Sequence, residues 1–581
     1  MKPLVDQIAD TVKNALSKAV PEAPEAEPMV RPAQDEKFGD YQSNAAMPLG
    51  KRLKKQPRQV AQMIVEALDA GQMLQAPEIA GPGFINLRLK DEFLANLLGS
   101  IQTDPRLGIE PVGQPRRVVV DFPSVNMSKE LHVGHLPPSI IGETIARTLE
   151  FAGHDVLRIS HVGDWGTAFG MLIQHLRETQ PQTLANPESI RVSDLTAFYK
   201  EAKKRFDSDP AFADAARLAV VDLQRGEPTT RAAWKAFMHA SREHANQIFE
   251  RLGVTSTERG ESFYNDKLPG VVQEFLDKGL AVVDKGAVCV FLEGFVGREG
   301  QPQPMIIRKS DGGYNYDTTD LATIKYRLME DKANWLIYVV DVRQRQHFDM
   351  LFAAAKKAGW LTDDVRTHFT GFGMILGPDG GPFKTKSGEA VNLKDLLDEA
   401  ERRAQKVVDE NSAEFPEQER KQIAKAVGIG AVRYAAMSHS IATDYRFDWD
   451  RMLSLDGNTA PYMMYAYARI RSIGRKGGID YAALPTDTPI VITNEFERRL
   501  AKKLLQFGEV FQVLVRDLEP NVLTNYLFET AQTFSGFYRE CPVLQAATPQ
   551  LKHSRLRLCD ITARTIKLGL HLLGIETLER M

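Results

Sequence analysis

The sequence predicts an α/β protein: a doubly wound, Rossmann-type parallel sheet with a helical insertion, an N-terminal α+β domain before it and a C-terminal all-α bundle after it. Three observations carry that expectation. The runs VVVDF (118–122) and WLIYVVD (Trp335–Asp341) are rich in β-branched and apolar residues, as strands covered on both faces are. Between about Arg116 and Leu393 such runs alternate with helical spacing, the pattern of strand–helix–strand crossovers. Beyond about Leu393 strand-like runs stop, and KDLLDEAERRAQKVVDE, IAKAVGIGAVRYAAM and everything from Asn494 onward have helical spacing.

In chain order, Met1 to about Lys90 reads as a separate small unit. A helix-like opening meets PEAPEAEPMVRP (Pro21–Pro32), too rich in proline to be helical throughout. A helical stretch near Arg58–Ala70 follows, and FINLRL (Phe84–Leu89) alternates like a strand. VVVDF and VLRIS (156–160) then begin the parallel sheet, and WLIYVVD with the helical Gln346–Ala358 continues it. The segment of about 174–300 between them reads as an inserted helical subdomain. The expected division is 1–112, 113–395 with that insertion, a helical connection 396–460, and a bundle 461–581.

Composition narrows the function. A chain of 581 residues holds roughly three or four domains. Its 26% charged and 43% hydrophobic residues are those of a soluble globular protein, and no apolar run approaches the roughly 20 residues of a membrane helix. MKPLVDQIAD carries acids where a secretory signal is apolar. Cys289, Cys541 and Cys559 form neither a zinc pattern nor a disulfide framework, so a reducing cytoplasmic setting and no resident metal are expected. The net charge is −3, yet from Pro461 onward 16 Lys and Arg face 12 Asp and Glu. A basic end on an acidic body permits a polyanionic partner without showing one.

The sharpest motif is SVNMSKELHVGHLPPSIIGETIARTLEFAGH, directly after VVVDF. His132 and His135 are three apart, so on a helix or its first turn they share a face. Gly134 leaves the backbone open between them, and Pro137 and Pro138 suit a first helical turn. A strand, a loop and a helix N-terminus carrying two imidazoles suit a phosphate chain. Taken alone, the pair equally fits a helix cap or two ligands of a metal site.

HVGH matches the HIGH signature of class I aminoacyl-tRNA synthetases, and its flanks resemble the arginyl-tRNA synthetases, which read S-P-N and H-V/A-G-H-L-R-S-T-I-I-G. This chain departs at Val125, where the family has Pro, and at Pro137 and Pro138, where it usually has Arg-Ser. HVGDWGTAFGMLI (His161–Ile173) and the block VGIGAVRYAAMSHSIATDYRFDWDRMLSLDGNTAPYMMYAYARIRSI (Val427–Ile473) are also similar to the family, so the resemblance runs nearly end to end. GMILGPDGGPFKTKSGEA resembles its second, degenerate signature. That places Lys386, with Lys384, at the ATP phosphates and passes the role of the missing lysine to Lys129.

The resemblance implies the rest. His132, Gly134 and His135 bind ATP, and Lys129, His132, His135 and Lys386 stabilise charge on its phosphates, with Mg²⁺ on the pyrophosphate. A guanidinium has only donors and needs carboxylates in fork geometry. Asp121, Tyr316 and Asp320 map onto the positions facing it, and Ser124, Asn126 and Gln344 onto the amino-acid pocket, the last two at its α-amino and carboxylate end. Phe84 and Asn86 match positions that read the tRNA elbow, and Arg469 and Arg471 are candidates for phosphate contact in an anticodon-binding bundle. The implied activity joins L-arginine to tRNA(Arg) at the expense of ATP. The implied protein is a monomer, without a membrane, that needs bound tRNA before it activates arginine. A non-catalytic RNA-binding descendant would predict eroded signatures, and a non-tRNA nucleotidylyltransferase a shorter chain without the bundle.

Overall fold

The computed structural model describes residues 1–182, 195–297, 300–383, 391–487 and 489–581. It forms two compact units: Met1–Pro111 with Ser454–His571 and Glu576–Met581, and Val112–Leu453 with Leu572–Ile575.

In the first unit the strands Val30–Pro32, Tyr41–Ser43, Phe84–Leu87 and Glu78–Ala80 make an antiparallel sheet in that spatial order. The helix Leu4–Ala19 buries Leu4, Ile8, Val12, Ala15 and Leu16, the stripe its spacing dictates. The helical stretch expected near Arg58–Ala70 runs Pro57–Ala67 and ends where Leu68 turns extended. The bundle helices include Ala460–Gly477, Glu495–Leu505, Phe507–Asp517 and Asn521–Glu540.

Charge joins the two chain ends into this one unit. Buried Arg498 donates to both oxygens of buried Asp40, at 3.1 and 2.7 Å, and to Asp91 at 2.8 Å. Burial alone raises the Asp40 carboxyl, but the Arg498 hydrogen bonds and the Lys502 charge hold it below its ordinary value. Removing one partner of such a buried pair typically costs about 3–5 kcal/mol.

The second unit holds the parallel sheet. Its strands lie in the order Arg366–Phe372, Trp335–Asp341, Arg117–Asp121, Asp155–Ser160 and Thr257–Glu258, all parallel. The first strand, Arg117–Asp121, is thus central, with the next on one side and Trp335–Asp341 on the other. The order reverses there, and ligands of such sheets bind beyond the strands' carboxyl ends at that point. The helix Leu136–Phe151 is buried along most of its length against the sheet. A Cβ on Gly142 would stand 2.1 Å from Phe122 Cγ, so glycine is what lets that helix reach the strand's end.

Two expectations need correction. The insertion is helical only at first, in Leu195–Ser208, Pro210–Arg225 and Pro228–Leu252. It then becomes an antiparallel sheet of Val282–Asp284, Ala287–Val296 and Pro302–Arg308. Lys285 and Gly286 both have positive φ, 49° and 83°, which makes a two-residue hairpin turn of the twist strands favour. Strands also do not stop at Leu393, since Tyr445–Arg446 pairs in parallel with Ile375–Leu376. A two-residue strand is too short to leave a periodic signal.

Near the chain's end, Leu572–Ile575 folds into this second unit. The wholly buried Arg433 donates to the Leu573 carbonyl from Nε and Nη2. It also donates to the Leu252 carbonyl.

Candidate active site

The chain leaves the central strand at Asp121 and reaches the helix Leu136–Phe151 through the HVGH segment, a single 3-10 turn Val133–His135. His132 is extended and caps that turn: its Nδ1 accepts from the Gly134 N–H at 3.1 Å. Its own backbone N–H donates to His135 Nδ1, also at 3.1 Å. Both Nδ1 atoms are therefore acceptors, which leaves the proton of each neutral ring on Nε2 as a donor. Burial, then the charge of Lys129, lowers His132. Burial, then His132 and Lys129, pushes His135 down to about 3. The rings stand 4.0 Å apart. A Cβ on Gly134 would lie 2.9 Å from His132 Cε1, so the glycine makes room for the ring itself. Pro137 and Pro138 occupy the first turn of the helix, as their missing N–H groups allow.

Lys129 stands close enough to act on both histidines. Lys384 and Lys386 lie outside the described residues. The chain just after them is tied to the signature, because Val133 N–H donates to Val391 O and Leu393 N–H to Leu131 O, each at 2.9 Å.

The second cluster is acidic. Buried Asp121 accepts from the wholly buried Arg327 at 2.6 Å, so its Oδ2 already faces a guanidinium. Its other oxygen accepts from the Ser124 hydroxyl. Ser124, in the left-handed region with φ 51°, accepts in turn from the His161 backbone N–H at 3.2 Å. Asn126 is exposed, and its side-chain oxygen accepts from Ser128 N–H at 2.9 Å. Tyr316 is 62% exposed at the start of the helix Tyr316–Met329. Asp320, one turn on, meets His347 Nε2 at 2.7 Å and has His161 Nε2 at 3.6 Å. Gln344 is exposed at the mouth of the helix Arg345–Lys357.

Glu261 is a residue that the sequence reading missed. It opens a short turn, Glu261–Tyr264, after the last strand of the sheet. Burial, then the charges of Asp320 and Asp164, push its carboxyl up to about 7. Among the described residues no cation is bonded to it. Asp164 is likewise raised by burial and accepts from Ser262 N–H at 2.8 Å. A half-buried carboxyl beside two others is a site short of a cation. GESFYND carries no periodic or motif signal that marks it.

The residues expected at tRNA sit in the first unit. Phe84 is half-buried at the start of its strand, and buried Asn86 accepts from Gln42 Nε2 at 2.8 Å. Arg469 lies 4.7 Å over the Tyr538 ring and lines a cavity of about 700 Å³ with Lys476, Arg539 and Gln545. Arg471 turns elsewhere, to Glu579 at 2.9 Å.

Residues 100–449 match the model of the class I (R) tRNA synthetase catalytic domain. Residues 463–581 match the DALR anticodon binding domain, and 6–89 the arginyl tRNA synthetase N-terminal domain. The chain is 52% identical over 581 residues to the arginine–tRNA ligase of Synechococcus elongatus, covering 99% of each. It is 50% identical to that of a Picosynechococcus species, over the full length of both. Among solved structures it is similar to the arginyl-tRNA synthetase of Plasmodium falciparum, at 28% identity, TM-score 0.88 and full coverage of both chains. The Thermus thermophilus enzyme follows at 25% identity and TM-score 0.80, again over both whole chains. Family matches over 6–89, 100–449 and 463–581, and half identity along the whole length, place the chain among the arginyl-tRNA synthetases of class I.

Proposed function

We propose that this chain activates L-arginine with ATP and loads it onto tRNA(Arg), with the activation step dependent on bound tRNA. The observation that carries the first step is the His132–His135 pair, whose two Nε2–H donors and neighbouring Lys129 surround the N-terminus of a buried helix. The arginine carboxylate, already ionised, attacks the ATP α-phosphorus in line, and the bond to the departing pyrophosphate breaks. Charge growing on the phosphate oxygens meets His132, His135 and Lys129, joined by Lys384 and Lys386. Mg²⁺ enters with the phosphates of ATP, and no protein ligands are assigned to it. The terminal ribose hydroxyl of tRNA then attacks the adenylate carbonyl and AMP leaves.

On this reading Asp320 and Glu261 receive the guanidinium beside Tyr316, and Asn126 and Gln344 the α-amino and carboxylate end. Asp121, held by Arg327, shapes the Ser124 loop from below. Phe84 and Asn86 face the tRNA elbow. Arg469, in its basic cavity, faces the anticodon region with Arg471 near it. The domain division is that of 1–112, 113–395, 396–460 and 461–581, in a cytoplasmic monomer. Among the described residues no helix is long and apolar enough to cross a membrane.

The test is ATP–pyrophosphate exchange with arginine, lysine, glutamate or cysteine, with and without tRNA. Exchange is expected with arginine alone and only with tRNA present. Exchange with another amino acid overturns the acidic pocket, and none from folded protein favours the non-catalytic descendant. Glu261 adds a pH signature. Its carboxyl must be ionised to pair with a guanidinium, and in the free protein it holds its proton up to about pH 7. The KM for arginine is therefore flat above that pH and rises roughly tenfold per unit below it. Glu261→Gln should bind arginine more weakly, with that slope gone; an unchanged slope removes Glu261 from the pocket.

A further inference from the structure

His347 sits between two carboxylates. Its Nε2 is 2.7 Å from Asp320 Oδ2, and its Nδ1 is 3.2 Å from Asp317 Oδ1. Asp317 and Asp320 are three residues apart on the first turn of the helix Tyr316–Met329, so their charges repel unless a cation lies between them. The ring of Tyr316 meets the imidazole edge-on at 5.0 Å. A ring that donates from both nitrogens is an imidazolium. Burial opposes that charge, but the Asp317 and Asp320 hydrogen bonds outweigh it and carry His347 up to about 9.

One oxygen of Asp320 is therefore spent on His347. The other, Oδ1, stands 3.6 Å from His161 and remains for a ligand. A carboxylate free to rotate offers a guanidinium either a fork or nothing. One clamped by its neighbour offers a single acceptor in a fixed place. Glu261, from a different element, supplies the next acceptor.

We infer that His347 is a positioning residue for the arginine pocket: it bridges Asp317 and Asp320 and holds the Asp320 carboxylate turned toward the substrate guanidinium. This rests on the reading that Asp320 receives that group. The bridge makes the substrate's planar fork span two carboxylates from separate segments. A compact ammonium cannot span them, so the clamp favours arginine over lysine.

The test measures KM and kcat for arginine, and KM for ATP, in tRNA-supported exchange for His347→Ala, His347→Gln and Asp320→Asn. His347→Ala is expected to raise the arginine KM about ten- to a hundredfold, with kcat and the ATP KM within about threefold of wild type. His347→Gln, which keeps one donor, is expected between the two. An arginine KM that is unchanged, or lowered because the imidazolium only repels the substrate, overturns the inference. So does a parallel loss in kcat and both KM values, the mark of general damage to the fold. If His347→Ala does not fold, the Gln variant decides by the same criteria. Asp320→Asn separates the two levels: an unaltered arginine KM there removes the pocket reading itself, whereas its loss beside a normal His347→Ala removes only the clamp.

Discussion

His135→Ala lowers the rate of arginine activation about 10²–10³-fold while leaving the protein folded, the usual cost of removing one preorganised donor from a developing oxyanion. Its half-buried ring lies against His132 and is pushed down to about 3, so it works as a neutral donor through Nε2 and carries no proton to the reaction. Two consequences follow from that charge state. The loss is the same at pH 6 and pH 8, because nothing on this residue titrates between them. It also falls mainly on kcat, since the phosphate gains its extra charge only in the transition state. Single-turnover exchange by the variant across that pH range checks both. A loss below about threefold, or one that appears only on the acid side, removes His135 from the phosphate site.

Asp320→Asn lowers kcat/KM for arginine about 10²–10⁴-fold, the scale expected when one partner of a desolvated ion pair is deleted. The substitution keeps the shape and removes the charge. The new amide N–H must then face either the donors of the guanidinium or the N–H of His347, and whichever it faces is left without an acceptor. The loss falls on KM more than on kcat, because the guanidinium is bound alike before and during the reaction. Lysine does not take arginine's place in the variant. Steady-state exchange with both amino acids measures this, and a kcat/KM within about threefold of wild type moves the guanidinium elsewhere.

Much of this architecture could be read from the sequence because it rests on local patterns. Short β-branched, apolar runs fit strands covered on both sides, and Arg117–Asp121 and Trp335–Asp341 are such strands. HVGH followed by two prolines can hardly be other than a loop entering a helix. What escaped the reading is set by distance in space. Glu261 looks like any loop glutamate until Asp320 and Asp164 are brought beside it. QRQHF drew attention only to Gln344, because nothing in it shows that His347 meets two carboxylates on another helix. Arg327 gives no sign in the sequence of reaching Asp121, 206 positions away, yet it takes up the oxygen that the resemblance assigned to substrate. The hairpin in the insertion was missed because the helical periodicity before it was extended too far along the chain.

The pairing of Asp40 with Arg498 also has a temporal side. The two residues are 458 positions apart. At roughly 5–20 residues per second, the ribosome delivers the arginine some 20–90 s after the aspartate. For that interval the segment around Asp40 waits without the helices that complete its unit, and Asp40 stays hydrated rather than buried unpaired. The Leu573 carbonyl that Arg433 grips arrives later still. A nascent chain stalled before Leu573 therefore leaves the Arg433 guanidinium without that acceptor.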